Sequence, residues 1–344
     1  MLKISEILSM RRMPCTVIVG GFFGDEGKGK IVAYLAMKDK ADIAVRGGVG
    51  PNAGHTVMFH GKEHKTRMLP SALINDQTRL MIGPGVLINV EVLLQEIKNF
   101  STSDRTFVDP QCGIIDRIHI DNDASDPNLK KIGTTETGTG PANADRALRR
   151  ATLARDSIEL SEYLQDISNT VNCSIDSDET VLVEGTQGTF LSLYHGTYPY
   201  VTSKDVTASA ICSDVGIGPK KVNDVLVVYK AYVTRVGSGP LEGELEQEET
   251  TSKGWTEFGS VTGRLRRASP FNFELARRSV MLNSATQVAL TKLDVVFPSD
   301  FGKREFSSLS GEAKKFVKKI EEEICLKVAI IGTGQELEDI IDLR

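Results

Sequence analysis

The sequence predicts an α/β fold with a large, mostly parallel central sheet flanked by helices, in a P-loop-like nucleotide-binding architecture. Short, continuously apolar segments recur along the 344-residue chain, and helical patterns lie between several of them. Strands that are buried on both faces read as unbroken apolar runs, and parallel strands are connected by helical crossovers. A glycine-rich segment also follows the first apolar run directly, which is where such folds bind phosphate groups.

The predicted strands are six apolar segments that end in glycine or a polar turn: TVIVGG from Thr16, RLMIGPG from Arg79, TVLVEGTQG from Thr180, VLVVYKAYVTRVG from Val225, QVALTKLD from Gln287 and KVAIIGTG from Lys327. Apolar residues at three- and four-residue spacing predict three clear helices. These are VEVLLQEIKNF from Val90, NFELARRSVMLN from Asn272 and LSGEAKKFVKKIEEEI from Leu309. The acidic segment EGELEQEETTSKG from Glu242 is predicted to be an exposed loop or a short helix.

Composition and charge restrict the function classes. With 40% hydrophobic and 25% charged residues, the chain has the composition of an ordinary globular protein. Its 41 basic and 46 acidic residues give a net charge of −5, which argues against a nucleic-acid partner. The candidate motifs lie at both ends of the chain, so we expect residues 14–344 to form a single α/β domain. Residues 1–13 are then an extension of unknown role.

Cysteine usage and hydropathy indicate the compartment. The five cysteines are scattered and never form a CxxC pair, which favours neither a disulfide framework nor a zinc site. No apolar run has the length of a signal peptide's core or of a membrane span. We therefore expect a cytoplasmic protein that has no membrane partner.

The glycine-rich segment GGFFGDEGKGK connects the first strand to a helical IVAYLA pattern. Backbone N–H groups at such a turn bind anions, and Lys28 adds a positive charge for phosphate oxygens. The segment departs from the Walker form GxxxxGK[ST], because Phe22 replaces its first glycine and Gly29 its hydroxyl residue. Asp25 and Glu26 are costly beside an anion unless they bind a metal or handle a proton. The alternative is a glycine turn with a solvated acidic pair.

A second glycine-rich segment, RGGVGPNAGHT from Arg46, contains a candidate catalytic histidine. His55 follows Asn52 and Gly54 in a loop whose glycines allow close approach of the backbone to a ligand. If His55 meets Asp25 across a bound nucleotide, the site holds a base and a proton donor. The alternative interpretation is a structural histidine.

Two further segments suggest nucleotide and carboxylate recognition. The string TKLD contains Lys292 and, two positions later, Asp294. It matches the [NT]KxD pattern that reads guanine in some nucleotide-binding proteins. The aspartate accepts from guanine N–H groups, and the lysine stem packs on the ring. VTGRLRRASP carries Arg264, Arg266 and Arg267, whose planar forks suit carboxylate or phosphate. The alternative for TKLD is a simple strand exit. The alternative for the three arginines is a solvated basic face.

Taken together, these segments resemble the adenylosuccinate synthetase family, in the compact form that lacks the insertions of its longer members. The resemblance runs from about Thr16 to the C-terminus. It rests on the strings GDEGKGK, NAGHT, IGTT, RALRR, EGTQGT, HGTYPYVTS, TRVGSGP, TGRLRR and TKLD, which occur in family order.

The resemblance implies a GTP-dependent C–N ligase of AMP biosynthesis. GTP phosphorylates O6 of IMP, and the amino group of L-aspartate then displaces phosphate to give adenylosuccinate, GDP and phosphate. It also implies that Asp25 is the general base and a Mg²⁺ ligand, with the Gly54 carbonyl as a second ligand. His55 would donate to the transferring phosphoryl group, and Lys28 would neutralise charge on the β- and γ-phosphates.

The resemblance extends to the binding residues and to a homodimer, in which Arg149 reaches the IMP 5′-phosphate from the other subunit. The implied GTP site comprises Gly24, Asp25, Glu26, Gly27, Lys28, Gly54, His55, Thr56, Arg266, Lys292, Asp294, Gly332, Thr333 and Gly334. The implied IMP site comprises Asp25, Asn52, Ala53, Gly54, His55, Thr135, Arg149, Gln187, Thr202, Val236 and Arg264. The implied aspartate site comprises Val261, Thr262, Arg264 and Arg266.

Several residues depart from the commonest family pattern. Glu136 stands where glycine often follows the paired threonines, and Leu265 and Val261 replace an arginine and a threonine. Gly332 and Gln335 flank a turn in which serine and proline are usual. Because Leu265 and Val261 replace polar residues, we expect a less polar aspartate site.

Two alternatives to the IMP enzyme stay open on the sequence. The first is the phage-type family member that ligates aspartate to dGMP; those relatives resemble this chain in length but typically carry serine in place of Asp25 and lack TKLD. The second, from another class, is a GTP-binding regulatory module. Such a module needs neither the arginine-rich loop nor the TYPYVTS segment.

Overall fold

The computed structural model describes residues 14–259 and 263–344. The strands are β1 Cys15–Gly20, β2 Ile43–Arg46, β3 His55–Phe59, β4 Lys62–Thr66, β5 Arg79–Ile82, β6 Leu87–Ile88, β7 Thr106–Val108, β8 Gly113–Ile114, β9 Val181–Glu184, β10 Asp224–Lys230, β11 Tyr232–Arg235, β12 Arg267–Pro270, β13 Gln287–Thr291, β14 Val328–Gly332 and β15 Ile340–Asp342. The α-helices are α1 Lys28–Lys38, α2 Val90–Phe100, α3 Arg117–Ser125, α4 Pro127–Ile132, α5 Thr139–Ala147, α6 Ile167–Asp176, α7 Ala208–Val215, α8 Gln247–Ser252, α9 Phe273–Asn283, α10 Leu293–Val296 and α11 Gly311–Ile324.

The described residues contain a nine-stranded central sheet in the order β15-β14-β13-β10-β1-β9-β2-β5-β7. Its strands pair in parallel except at the edge, where β15 runs antiparallel to β14. The predicted α/β class with a mostly parallel sheet is therefore confirmed. Because β1 lies between β10 and β9, the loop that follows it lies at the centre of the carboxyl edge.

Side chains of successive strand residues pack on opposite faces of the sheet. Val17 belongs to one core cluster together with Ala276 and Val317 of α9 and α11. Ile18 belongs to a second cluster, which includes Leu35 of α1. Both faces of the sheet are thus covered by helices, which is why its strands are continuously apolar in sequence.

The three helices predicted from periodicity are confirmed as α2, α9 and α11. Each begins after a polar residue whose side chain accepts a hydrogen bond from a backbone N–H three residues further on: Asn89, Asn272 and Ser310. Such N-caps satisfy donors that the first helical turn leaves unpaired. The acidic segment from Glu242, predicted to be an exposed loop or a short helix, contains the short helix α8.

The apolar run VLVVYKAYVTRVG differs from its prediction, because it forms two strands that meet at Ala231. Up to Lys230 it lies in the central sheet, and the Ala231 N–H donates to the Thr291 carbonyl at 2.9 Å. Beyond that point β11 pairs antiparallel with β12, and Tyr232 stacks on Trp255. The redirection places Lys230 and Thr234 at the carboxyl edge of the sheet.

None of the helices in the described parts of the chain has the length and apolar character that a bilayer-spanning helix requires. The proposed extension at residues 1–13 lies outside the described residues.

Candidate active site

A pocket of about 960 Å³ lies at the carboxyl edge of the central strands, between the loops that follow them. Most of the residues that the sequence singled out line it: Gly24, Asp25, Gly27, Lys28, Asn52, Ala53, Gly54, His55, Thr56, Thr135, Gln187, Thr202, Val236, Arg264, Arg266, Lys292, Gly332 and Gly334. Segments from both ends of the chain therefore contribute to a single cavity.

Six residues of the sequence-based assignment are not among the lining residues. Val261 and Thr262 lie outside the described residues. Glu26, Asp294 and Thr333 do not line the pocket, and Arg149 is exposed on its own protomer. The Thr333 hydroxyl donates to the Lys303 carbonyl at 2.6 Å, so it fixes the C-terminal turn.

Glu26 organises the phosphate loop from within. Its carboxylate accepts the backbone N–H groups of Phe22 and Gly24 at 2.9 and 2.8 Å, and it lies 3.0 Å from the Lys28 ammonium. Both charged side chains are almost fully buried. The two acidic residues therefore differ in role. Glu26 neutralises Lys28 and shapes the loop, whereas Asp25 lines the pocket.

The loop is tied to the C-terminal third of the chain by two contacts. Thr291, the first residue of TKLD, donates its hydroxyl to the Glu26 carbonyl at 2.6 Å. Lys30 donates to the carbonyls of Gly334 and Asp339 at 2.9 Å each, and burial lowers the pKa of Lys30 to about 8. These bonds bring TKLD and the C-terminal turn beside the phosphate loop.

Gly29, which replaces the hydroxyl residue of the Walker form, lies against the candidate catalytic histidine. A Cβ at Gly29 would lie only 2.9 Å from the His55 Cβ and from the Ser71 hydroxyl oxygen. Glycine here lets α1 approach β3 closely enough to place His55 at the loop. The departure from the Walker pattern therefore has a steric reason.

His55 is held by a buried carboxylate that the sequence analysis did not assign. Its Nδ1 pairs with Glu184 and lies 3.1 Å from the Ser71 hydroxyl. Ser71 donates both its N–H and its hydroxyl to Glu184, at 2.7 and 2.6 Å. Burial lowers the pKa of His55, and Glu184 opposes that effect. Burial raises the pKa of Glu184, but His55 and Arg46 reverse this and keep it below its ordinary value.

Asp25 is surrounded by donors. The hydroxyl of Thr234 donates to its Oδ2, and Lys230 and Arg266 lie 3.5 and 3.2 Å from the same oxygen. The described residues contain no cluster of three or more histidine, cysteine or acidic groups that would hold a metal unaided. A carboxylate at this pocket suits a cation that substrate oxygens also bind.

Side-chain amides and hydroxyls form a chain along one wall. Gln187 donates to the Asn52 side-chain oxygen at 3.0 Å, and the Asn52 amide donates to Thr202 at 3.4 Å. Gln187 is held at φ 53° and contacts Thr186. This preorganised polar wall is able to read a ring that carries donors and acceptors.

The 133–139 loop is built around buried Asp123. Its two oxygens accept the Thr134 hydroxyl at 2.6 Å and the Gly138 N–H at 2.8 Å. Arg264 donates to the carbonyls of Gly133 and Thr134 at 3.0 and 3.2 Å. Glu136 is exposed and is not a lining residue, so its charge lies away from the pocket.

TKLD presents a lysine and a buried acceptor beside the phosphate loop. Lys292 adopts a left-handed conformation at φ 59° between β13 and the short helix α10. Asp294 Oδ1 is buried without a hydrogen-bond donor among the described residues, and burial raises the pKa of its carboxyl. An unsatisfied buried acceptor is costly unless a ligand supplies the donor.

Sequence reasoning missed Glu184, Ser71, Lys230 and Glu257. Glu184 begins the EGTQGT string, but its role depends on the register that pairs it with Arg46 of β2. Lys230 and Glu257 stand alone in otherwise ordinary segments and match no spacing rule. The one available signal is a lysine at the end of a fully buried strand, because such a lysine must be paired.

Comparisons with known proteins identify the family. The adenylosuccinate synthetase family model matches residues 17–159 and 151–303. Adenylosuccinate synthetases of Methanocaldococcus jannaschii and Archaeoglobus fulgidus are each 53% identical to this chain, over 96% of it and 97% and 99% of their own lengths. The relatives therefore share its compact length.

Two solved structures have a similar fold. A fully ligated adenylosuccinate synthetase from Plasmodium falciparum matches 96% of this chain and all of its own, with a TM-score of 0.91 and 26% identity. A succinoaminodeoxyadenylate synthetase of cyanophage S-2L, bound to dGMP and dATP, matches 97% of this chain with a TM-score of 0.79. At 24% identity the second likeness concerns the fold alone. The family model and the two archaeal relatives place the chain in the adenylosuccinate synthetase family.

Proposed function

We propose that this chain ligates L-aspartate to IMP at the expense of GTP, through a 6-phosphoryl-IMP intermediate. The family is one of GTP-dependent ligases that form a C–N bond. The observation that best supports the proposal is one pocket lined by Asp25, His55, Arg266 and Lys292. These residues supply a base, a donor, a carboxylate-binding cation and a guanine-side lysine within one cavity.

In the first step Asp25 accepts the N1 proton of IMP, and O6 attacks the γ-phosphorus while the bond to GDP breaks. His55 donates to the transferring phosphoryl group. Because Glu184 occupies Nδ1, Nε2 is the nitrogen left for the substrate, and the Glu184 carboxylate opposes the effect of burial, which lowers the pKa of His55. In the second step the aspartate amino group attacks C6, and phosphate leaves. The contribution of the chain is positioning and charge stabilisation.

Mg²⁺ fits the residues present. Thr234, Lys230 and Arg266 all contact Oδ2 of Asp25, and Asp25 lines the pocket. Mg²⁺ characteristically binds one or two protein oxygens together with substrate phosphates. Asp25 and the Gly54 carbonyl would hold the ion, which supplies charge neutralisation on the phosphates.

The substrate contacts follow from the pocket walls. IMP would lie along Asn52, Thr135, Gln187, Thr202 and Val236. Arg264 and Arg266 would bind the aspartate carboxylates together with Val261 and Thr262. Guanine would be read by Lys292 and Asp294, with the 332–334 turn beside it.

The active form is proposed to be a homodimer in which Arg149 serves the neighbouring IMP site. Arg149 follows α5 at φ 63°, is exposed, and does not line the pocket of its own protomer. Ile118 and Leu148, on the adjoining α3 and at the end of α5, are 63% and 59% exposed. Large apolar side chains beside an arginine suit a protein interface.

A substrate assay tests the proposed function. Purified protein is incubated with GTP, L-aspartate, Mg²⁺ and either IMP or dGMP, and succinylated nucleotide, GDP and phosphate are quantified. We expect stoichiometric adenylosuccinate, GDP and phosphate from IMP, and loss of product in a folded Asp25→Ala variant. Turnover of dGMP but not IMP would contradict the proposal, and so would GTP hydrolysis that is independent of IMP and aspartate.

A further inference from the structure

Four charged side chains form a closed ring at the edge of the pocket. Lys230 Nζ lies 2.9 Å from Glu257 Oε2 and 3.5 Å from Asp25 Oδ2. Arg266 closes the ring, with Nη1 2.6 Å from Glu257 Oε2 and Nε 3.2 Å from Asp25 Oδ2. Each cation therefore contacts both carboxylates.

The ring is buried and electrically balanced. The exposed fractions of the side chains are 1% for Lys230, 8% for Asp25, 14% for Glu257 and 15% for Arg266. Two positive and two negative charges cancel, as burial of ionised groups requires. Removal of one member leaves an uncompensated charge that the remaining members must accommodate.

Neighbouring groups hold the two members that the proposed mechanism does not use. The Tyr232 hydroxyl donates to Glu257 at 2.5 Å, and Lys230 lies over the Tyr232 ring and donates to Thr234. Lys292 Nζ lies 3.9 Å from Glu257 Oε1. Cations and hydrogen bonds oppose burial and keep the pKa of Glu257 below its ordinary value. Glu257 thus links Lys292, which would read guanine, to Arg266, which would bind L-aspartate.

We propose that Lys230 and Glu257 are positioning residues for the ligation: Lys230 fixes the base Asp25, and Glu257 keeps Arg266 available to the carboxylate of L-aspartate. The inference rests on the proposed function. Without Glu257, both cations have Asp25 as their remaining carboxylate in the ring. Arg266, which already lies 3.2 Å from Asp25, then pairs with the base alone, so that the aspartate site loses a cation.

Glu257→Gln tests the role of Glu257 with little change in shape. We expect the KM for L-aspartate to rise about tenfold or more and kcat to fall, while the KM values for IMP and GTP change less than about threefold. Glu244→Gln is the matched control, because it removes the partner that lies 2.7 Å from Arg267, the next arginine along the chain. That control should have wild-type kinetics.

The double variant Lys230→Met/Glu257→Gln restores charge balance and tests the ring itself. We expect its loss in kcat/KM for aspartate to be smaller than the product of the two single losses. Equal effects on all three substrates, kinetics of Glu257→Gln that match Glu244→Gln, or independent single effects would overturn the inference.

Two further measurements keep the result interpretable. Circular dichroism and thermal unfolding establish whether each variant is folded. If Glu257→Gln does not fold, Glu257→Asp and the double variant are tested instead, and the same selective rise in the KM for L-aspartate is expected. Wild-type protein that makes no adenylosuccinate would refute the proposed function. Active wild-type protein without the selective aspartate effect would refute the positioning role alone.

Discussion

At the scale of single residues, the orientation of His55 in β3 depends on a carboxylate in β9, six strands later in the chain. Glu184 ends β9 opposite Arg46 of β2, and its carboxylate pairs with His55 at the start of β3. Ser71 also holds Glu184, through two hydrogen bonds. The ring of His55 is therefore fixed at Nδ1 before any substrate binds.

Glu184→Gln should lower kcat by about 10- to 100-fold, because a misplaced donor costs roughly that much in an oriented reaction. The KM values for IMP and GTP should change little, since Glu184 is covered by His55 and Ser71. Steady-state kinetics with each substrate varied in turn measures both quantities.

Glu96→Gln provides the comparison for Glu184→Gln. Glu96 is another buried carboxylate, and it accepts the backbone N–H groups of Arg67, Met68 and Leu69 at 2.6, 3.1 and 2.9 Å. We expect that variant to unfold at lower temperature but to keep its kcat at 25 °C. Equal losses of kcat in the two variants would mean that Glu184 acts only through stability.

The residues that sequence reasoning found and those that it missed differ in a physical way. Asp25 and His55 stand in glycine-rich loops, whose composition itself indicates that the backbone approaches a ligand. Lys230 and Glu257 act through each other across 27 positions, and nothing local to either residue indicates its partner. Long-range ion pairs are set by strand register and hairpin geometry, which a single sequence does not display.

At the scale of elements, the phosphate loop and the first turn of α1 form a tightly packed unit. Gly27 precedes α1 at φ 81° without a side-chain cap, so the helix N-terminus presents its N–H groups. Inside the loop, a Cβ at Gly20 would lie 2.4 Å from Glu26 Oε2, 2.6 Å from the Gln187 carbonyl and 2.8 Å from Lys28 Nζ. The loop therefore has no room for a side chain at Gly20.

Gly20→Ala should separate Glu26 from Lys28, and we expect GTP affinity to fall at least tenfold, with a loss of about 1–3 kcal/mol in the free energy of unfolding. Urea denaturation and calorimetric titration with GTP measure the two effects. Gly218→Ala is the control, because a Cβ there would meet no atom within 4 Å. A Gly20→Ala variant that binds GTP like Gly218→Ala would contradict this packing of the loop.

Element prediction succeeded where local sequence decides the structure. Helices α2, α9 and α11 carry both apolar periodicity and polar caps, so their positions are readable from the chain. The break at Ala231 was missed, because apolar residues continue on both sides of it and no glycine or proline marks it. What redirects the chain there is the contact with Thr291 and the stacking of Tyr232 on Trp255, both of which are tertiary.

At the scale of the whole molecule, the sheet order explains how distant motifs meet. β1 lies beside β10, and β13 and β14 follow, so the loops after the first strand and after late strands share one edge. Thr291 and Lys30 then join these loops directly. The net charge of −5 is compatible with anionic ligands, because Lys28, Lys230, Arg264 and Arg266 gather at this edge.

The proposed sharing of Arg149 between subunits makes a quantitative prediction. Asp25→Asn removes the base of a subunit's own site, and Arg149→Leu removes the arginine that it lends to its neighbour. Each variant alone should be nearly inactive. In a hybrid dimer, the site that retains Asp25 receives Arg149 from the other subunit, so one of its two sites is intact.

Equal amounts of the two variants, mixed under conditions that allow subunit exchange, should therefore recover about one quarter of wild-type activity, since half of the dimers are hybrids with one working site each. Product formation is measured after exchange, and the dimer content is followed by light scattering. Wild-type protein mixed with Asp25→Asn controls for dilution. Proteins that exchange subunits yet recover no activity would show that Arg149 acts within its own protomer, and the exposed face around Leu148 would then need another role.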